Sequence, residues 1–133
     1  MLEAMSPHPP ADLGIKRIYA AYAAADGMRV LVDRLWPRGV TTAGAHLDRW
    51  MKSLAPSADL RRRYHSGLLD ATAFAQAYRQ ELAGESARND ALELLEQAEG
   101  RRLTLLYASK DGEQGHARIL CSYLLDLASQ RTH

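Results

Sequence analysis

Cysteine is nearly absent: Cys121 stands alone among 133 residues. No intramolecular disulfide can form, and the chain suits a reducing compartment. A surplus of charge is missing as well, since 17 lysines and arginines meet 16 acids for a formal net charge of +1. Such a chain has no overall field to gather a polyanion, and only a local basic patch could do so. There is no run of about 18 apolar residues that could span a bilayer, and the opening residues MLEAMSPHPPADLG have neither the basic start nor the apolar stretch of a leader. Cys-x-x-Cys, His-Glu-x-x-His and Gly-x-Ser-x-Gly patterns do not occur, so no ready metal or serine-nucleophile motif is present. These absences predict a cytoplasmic protein with no membrane partner, no metal and no cofactor.

What remains is ordinary for a globular protein. An apolar fraction of 47% with 25% charged residues supports a single packed core in one domain. Residues 1 to 13, with Pro7, Pro9 and Pro10, are expected to form a flexible N-terminal tail. Residues 14 to 133 are expected to form one α/β domain.

Hydrophobic periodicity divides that domain. Ile15 to Ala20 alternates apolar and polar and predicts a strand; Arg29 to Leu35, with Val30, Leu31 and Val32 in a row, predicts a strand covered on both faces and ended by Pro37. Leu47, Trp50, Met51 and Leu54 fall at i, i+3, i+4 and i+7, which predicts a helix stopping before Pro56. A second helix starts at Ser57, and a third at Asp70 carries Phe74, Tyr78 and Leu82 on one face. Gly84 closes the third. Asn89 to Glu99 predicts a fourth helix, RLTLLYA a strand, and Ala117 to Ala128 a last helix with a broad apolar stripe. The order favours a small α/β domain with helices around a mainly parallel sheet. The rival is an α+β arrangement with the first two strands antiparallel, because AYAAADG is short enough for a hairpin loop.

Two strand ends are unusually polar. After Val30 to Val32 come Asp33, Arg34, Trp36, Arg38 and Gly39; after Leu105 to Tyr107 come Ser109, Lys110, Asp111 and Gly112, and a helix opens near His116. In open parallel sheets ligands bind at the carboxyl ends of strands, where helix N-termini offer free N–H groups. Neighbouring strands would bring these residues together as a pocket for a small anion. Arginine suits the role, because its planar fork donates two parallel hydrogen bonds to a carboxylate or phosphate. Arg34 and Arg38 would hold the anion, Lys110 would add charge, Gly39, Ser109 and His116 would complete the ligand contacts, and Trp36 would shape one wall. Asp33 or Asp111 would orient these groups or move a proton. The plainer reading has Asp33 paired with Arg34 or Lys110 and Trp36 plugging a loop with Pro37.

The run VLVDRLWPRG, then Asp48 and Trp50 in LDRWMKSLAPSADLRRRYH, then Phe74, Tyr78, Glu81 and Leu82, and finally LTLLYASKD with Ala117 resemble the bacterial YeaO-like branch of the domain of unknown function 488 family. The resemblance spans about residues 15 to 128. It implies a compact α/β domain and a shared site, and no activity. Thr41, Thr42 and Ala43 stand where such proteins often carry a lysine, which speaks against lysine-dependent chemistry. Ser66 and Gly67 replace a common proline, and Gly115 and His116 an asparagine-rich turn.

Other chemistries have weaker support. His65, His116, Cys121, Asp33 and Asp111 are metal-ligand types, but His116 and Cys121 would lie about 140° apart around a helix. Cys121 sits in an apolar helical face, where a thiol is usually inert. His65, at the end of a short helix, could act as a general base if its loop covers the pocket, or merely offset the helix dipole. Arg61 to Arg63, with Arg49, Lys52, Trp36 and Tyr64, could contact nucleic acid, though such runs are usually solvated helix faces. The expectation is therefore a pocket for a phosphorylated or carboxylated small molecule or nucleotide, with or without catalysis. The alternative is a non-enzymatic binding module for nucleic acid or a protein partner.

Overall fold

The computed structural model describes residues 10–110 and 115–131, so Asp111 and most of the expected tail lie outside the described residues. Four strands, β1 (Asp12–Arg17), β2 (Met28–Leu31), β3 (Arg49–Trp50) and β4 (Arg102–Tyr107), form one sheet in the order β1-β4-β2-β3. Every pairing is parallel. The antiparallel rival is thereby overturned: β4 inserts between β1 and β2, so the AYAAADG segment is a connection between non-adjacent strands and not a hairpin loop. Gly27, with φ of 68°, makes the turn into β2, and a Cβ there would overlap the Arg102 carbonyl.

Alternation along the strands divides the core in two. Val30, Val32, Leu103, Leu105 and Tyr107 face a large cluster covered by α2 (Ala58–His65), α3 (Ala71–Leu82), α4 (Glu85–Gln97) and α5 (His116–Arg131). Leu31 and Leu106 point the other way, with Ile18 and Ala45. That second face is closed by Trp50 of β3 and by Trp36, Val40 and Leu47 from the β2–β3 connection, which also holds the one-turn helix α1 (Thr42–Ala45).

The helix starts follow their side chains. Ser57 Oγ accepts from Leu60 N at 3.1 Å and Asp70 Oδ1 from Ala73 N at 2.8 Å, so both predicted caps form. α4 starts at Glu85, earlier than expected, with Gly84 as its N-terminal flank. Strand bounds also shift: β1 begins at Asp12, inside the segment assigned to the tail, and β2 ends at Leu31.

The helix expected over Leu47 to Leu54 does not form. Arg49–Trp50 is an edge strand on β2, and Lys52–Leu54 is a single 3-10 turn. Leu47 and Trp50 join the second cluster, whereas Met51 and Leu54 are buried in the first. Apolar residues serving two opposite faces of a sheet edge happened to match helical spacing.

Candidate functional site

The β2 ladder stops because a side chain takes over its next partner. Val32 N still donates to Leu106 O at 3.0 Å, but one residue on, Ala108 N donates to Asp33 Oδ2 at 2.9 Å. The other Asp33 oxygen, Oδ1, lies 3.1 Å from His116 Nε2 at the first turn of α5. That nitrogen is also 3.0 Å from Val32 O, so it carries the proton and donates toward both oxygens. Asp33 thus joins the ends of β2 and β4 to α5, and its own carbonyl accepts from Trp50 Nε1 at 2.7 Å. Its partners are neither Arg34 nor Lys110.

Beside this junction lies a cavity of about 310 Å³. Asp33, Trp36, Arg38, Ser109 and His116 line it, as expected from the two strand ends, and His65 lines it from the end of α2. Arg61, Tyr64, Phe74 and Tyr19 complete most of the wall. None of these four was expected in the pocket. Arg61 carried a signal, being part of the arginine run on α2, but only the docking of α2 over the sheet end shows that it turns inward and its neighbours outward. Arg62 instead lies 3.3 Å from Asp59 on the surface, and Arg63 is exposed.

Arg34 departs from its expected role. Its Nε and a terminal nitrogen donate to Pro56 O and Ala55 O, each at 3.2 Å, so the fork braces the turn before α2. It borders a second hollow of about 560 Å³, which shares Leu35, Arg61 and His65 with the first. Arg38 and Lys110 do leave from the same edge of the sheet, since β2 and β4 are parallel neighbours. Lys110 is exposed and Gly39, at φ of 79°, forms the turn after Arg38; neither lines the cavity.

Charge in the cavity is unbalanced. Among the described residues, the guanidiniums of Arg38 and Arg61 donate to no carboxylate or carbonyl, whereas Asp33, the one carboxylate on the wall, is engaged on both oxygens. Ser109 borders the cavity, and its Oγ is buried without a hydrogen-bond partner among the described residues. Nearby, Arg17 donates to Ala108 O at 2.8 Å and Ser109 O at 3.0 Å, which holds the strand-end loop in place. Trp36 is fixed by donating from Nε1 to Val40 O at 2.7 Å. Cys121 lies outside the site, buried in the first cluster, and burial pushes its thiol above the ordinary value, the direction of an unreactive group.

A four-stranded parallel sheet flanked by helices, with a cavity at its carboxyl edge, defines a small α/β domain. The chain belongs to the family described as the "Inactive DUF488-N3 subclade", whose model matches residues 12–133. It is 39% identical over 116 residues to "Uncharacterized protein YeaO" of Escherichia coli (strain K12), covering 87% of this chain and 99% of that protein. "Uncharacterized protein Rv3073c" of Mycobacterium tuberculosis (strain ATCC 25618 / H37Rv) and "Uncharacterized protein Mb3100c" of Mycobacterium bovis are each 34% identical over 111 residues, 83% of this chain and 91% of theirs. No solved structure matches. No helix among the described residues is long and apolar enough to cross a membrane.

Proposed function

We propose that this is a cytoplasmic protein that binds a small anionic ligand in the cavity at the end of β2 and β4, without turning it over. The observation that supports it is the pair of guanidiniums, Arg38 and Arg61, that have no hydrogen-bond or ion-pair partner among the described residues and stand on the wall of one concave site. Two cations on the wall of one cavity favour an anion there, which each can hold with charge-assisted hydrogen bonds. His65 and His116 line the same wall.

Binding is favoured over catalysis on chemical grounds. Ser109 Oγ is buried with no base hydrogen-bonded to it among the described residues, and no thiol lines the pocket. The word "inactive" in the family's description agrees with that reading. Nucleic acid is a poorer fit, because Arg61 turns into the concave site and Arg62 is paired, so the arginine run does not form a flat basic face.

Titration with inorganic phosphate and with acetate, followed through backbone amide shifts, tests the proposal. Shifts should centre on Arg38, Arg61, Ser109 and His116 and vanish in Arg38→Ala/Arg61→Ala. An anion response spread evenly over the surface, or one kept by the double variant, would overturn it.

A further inference from the structure

The cavity lined by Arg38 and Arg61, whose guanidiniums have no partner among the described residues, is also walled by aromatic rings: Tyr19, Trp36, Tyr64 and Phe74. Two of these rings are set in place by their surroundings. Tyr64 stacks on Phe74 with centroids 4.3 Å apart and planes 15° from parallel. Trp36 is oriented by its hydrogen bond to Val40 O and by the edge of Trp50, 5.2 Å away. Both rings are nevertheless only half-buried, so part of each apolar surface is still exposed.

A bare inorganic anion would satisfy the guanidiniums and leave those surfaces wet. It would also underfill a space of about 310 Å³, a volume within the range of organic-ligand pockets. Fixed aromatic faces beside two cations instead match a ligand with the same two parts. We infer that the pocket takes a planar unsaturated ring bearing an anionic group, with the ring against Trp36 and Tyr64 and the anion at Arg38 and Arg61. Ring stacking is favourable and preorganised, because neither aromatic has to be ordered on binding. The inference rests on the anion-binding reading above and adds the chemical class. Aryl phosphates and nucleoside monophosphates share this chemistry and differ in the sugar between ring and phosphate.

Calorimetric titration of the full chain with inorganic phosphate, phenyl phosphate, cyclohexyl phosphate and uridine monophosphate tests it. Phenyl phosphate should bind about tenfold or more tighter than inorganic phosphate, and tighter than cyclohexyl phosphate, whose ring has no π face. Uridine monophosphate binding tighter still would point to a nucleotide, and binding weaker than phenyl phosphate to an aryl ligand; either supports the class. Trp36→Leu should abolish the preference for phenyl over inorganic phosphate. Tyr64→Phe should keep it, because the ring face and its stacking on Phe74 remain. Equal affinity for phenyl and inorganic phosphate, or for phenyl and cyclohexyl phosphate, would overturn the aromatic class while leaving the anion site standing. If none of the four binds, both readings fall.

Discussion

Asp33 and His116 meet across the end of the sheet, with His116 Nε2 3.1 Å from Asp33 Oδ1, while the second Asp33 oxygen holds Ala108 N. One carboxylate therefore stands in for a rung of the β2–β4 ladder and ties α5 to it. Asp33→Asn can keep only one of these contacts, because its amide nitrogen would face either the His116 N–H or the Ala108 N–H. The loss should be about 1–3 kcal/mol in denaturant unfolding. An unchanged midpoint would show that the junction adds nothing to stability.

The two arginines of the Asp-Arg-Leu-Trp-Pro-Arg-Gly run should separate cleanly. Arg34→Ala leaves Ala55 O and Pro56 O without their donor in a buried turn, and should lower unfolding stability by about 1–3 kcal/mol. Arg38→Lys keeps charge and loses the fork, so phosphate affinity should fall by about one to two powers of ten with the ligand-free melting temperature unchanged. A drop in melting temperature for Arg38→Lys, with phosphate bound as before, would make Arg38 a strut instead.

Leu106 lies on the inner strand β4, fully buried against Ile18, Leu31 and Ala45. Leu106→Ala opens a cavity in the smaller cluster, where few side chains can move in to fill it. Chemical denaturation should show a loss of about 2–5 kcal/mol.

A charged network sits at the other end of the strands. The Asp26 carboxylate is held by Lys16 Nζ at 2.9 Å and by the buried Arg29 guanidinium, which also donates to Ala45 O at 3.0 Å and His46 O at 3.1 Å. Burial alone would raise the Asp26 carboxyl, but Lys16, the Ala23 N–H and Arg29 together hold it below its ordinary 3.8. Its contribution to stability is therefore full above that value and is lost as pH falls through the lower folded one. As pH falls below about 4 the natural chain should lose more stability than Asp26→Asn does. At neutral pH Asp26→Asn should itself cost about 3–5 kcal/mol, because Arg29 stays buried with its carboxylate gone.

Much of this architecture is legible residue by residue. Phe74, Tyr78 and Leu82 announce α3, Ser57 and Asp70 announce the starts of α2 and α3, and Leu103 to Tyr107 announce β4, since each signal lies within one element. The polar strand ends were legible too, and Asp33, Trp36, Arg38, Ser109, His65 and His116 do line one cavity. Leu47 to Leu54 misled because spacing does not say which neighbour an apolar residue will meet.

The sequence by itself determined the elements whose signals are local: caps, helical stripes, and strands whose apolar runs require cover on both faces. Tertiary structure alone decided that β4 separates β1 from β2, that Arg34 spends its fork on Ala55 O and Pro56 O, and that Arg61 replaces it on the cavity wall. The two arginines have the same side chain and the same intrinsic capacity. What distinguishes them is which acceptors come within about 3 Å once α2 docks over the sheet edge, a distance set by packing among residues far apart in the chain.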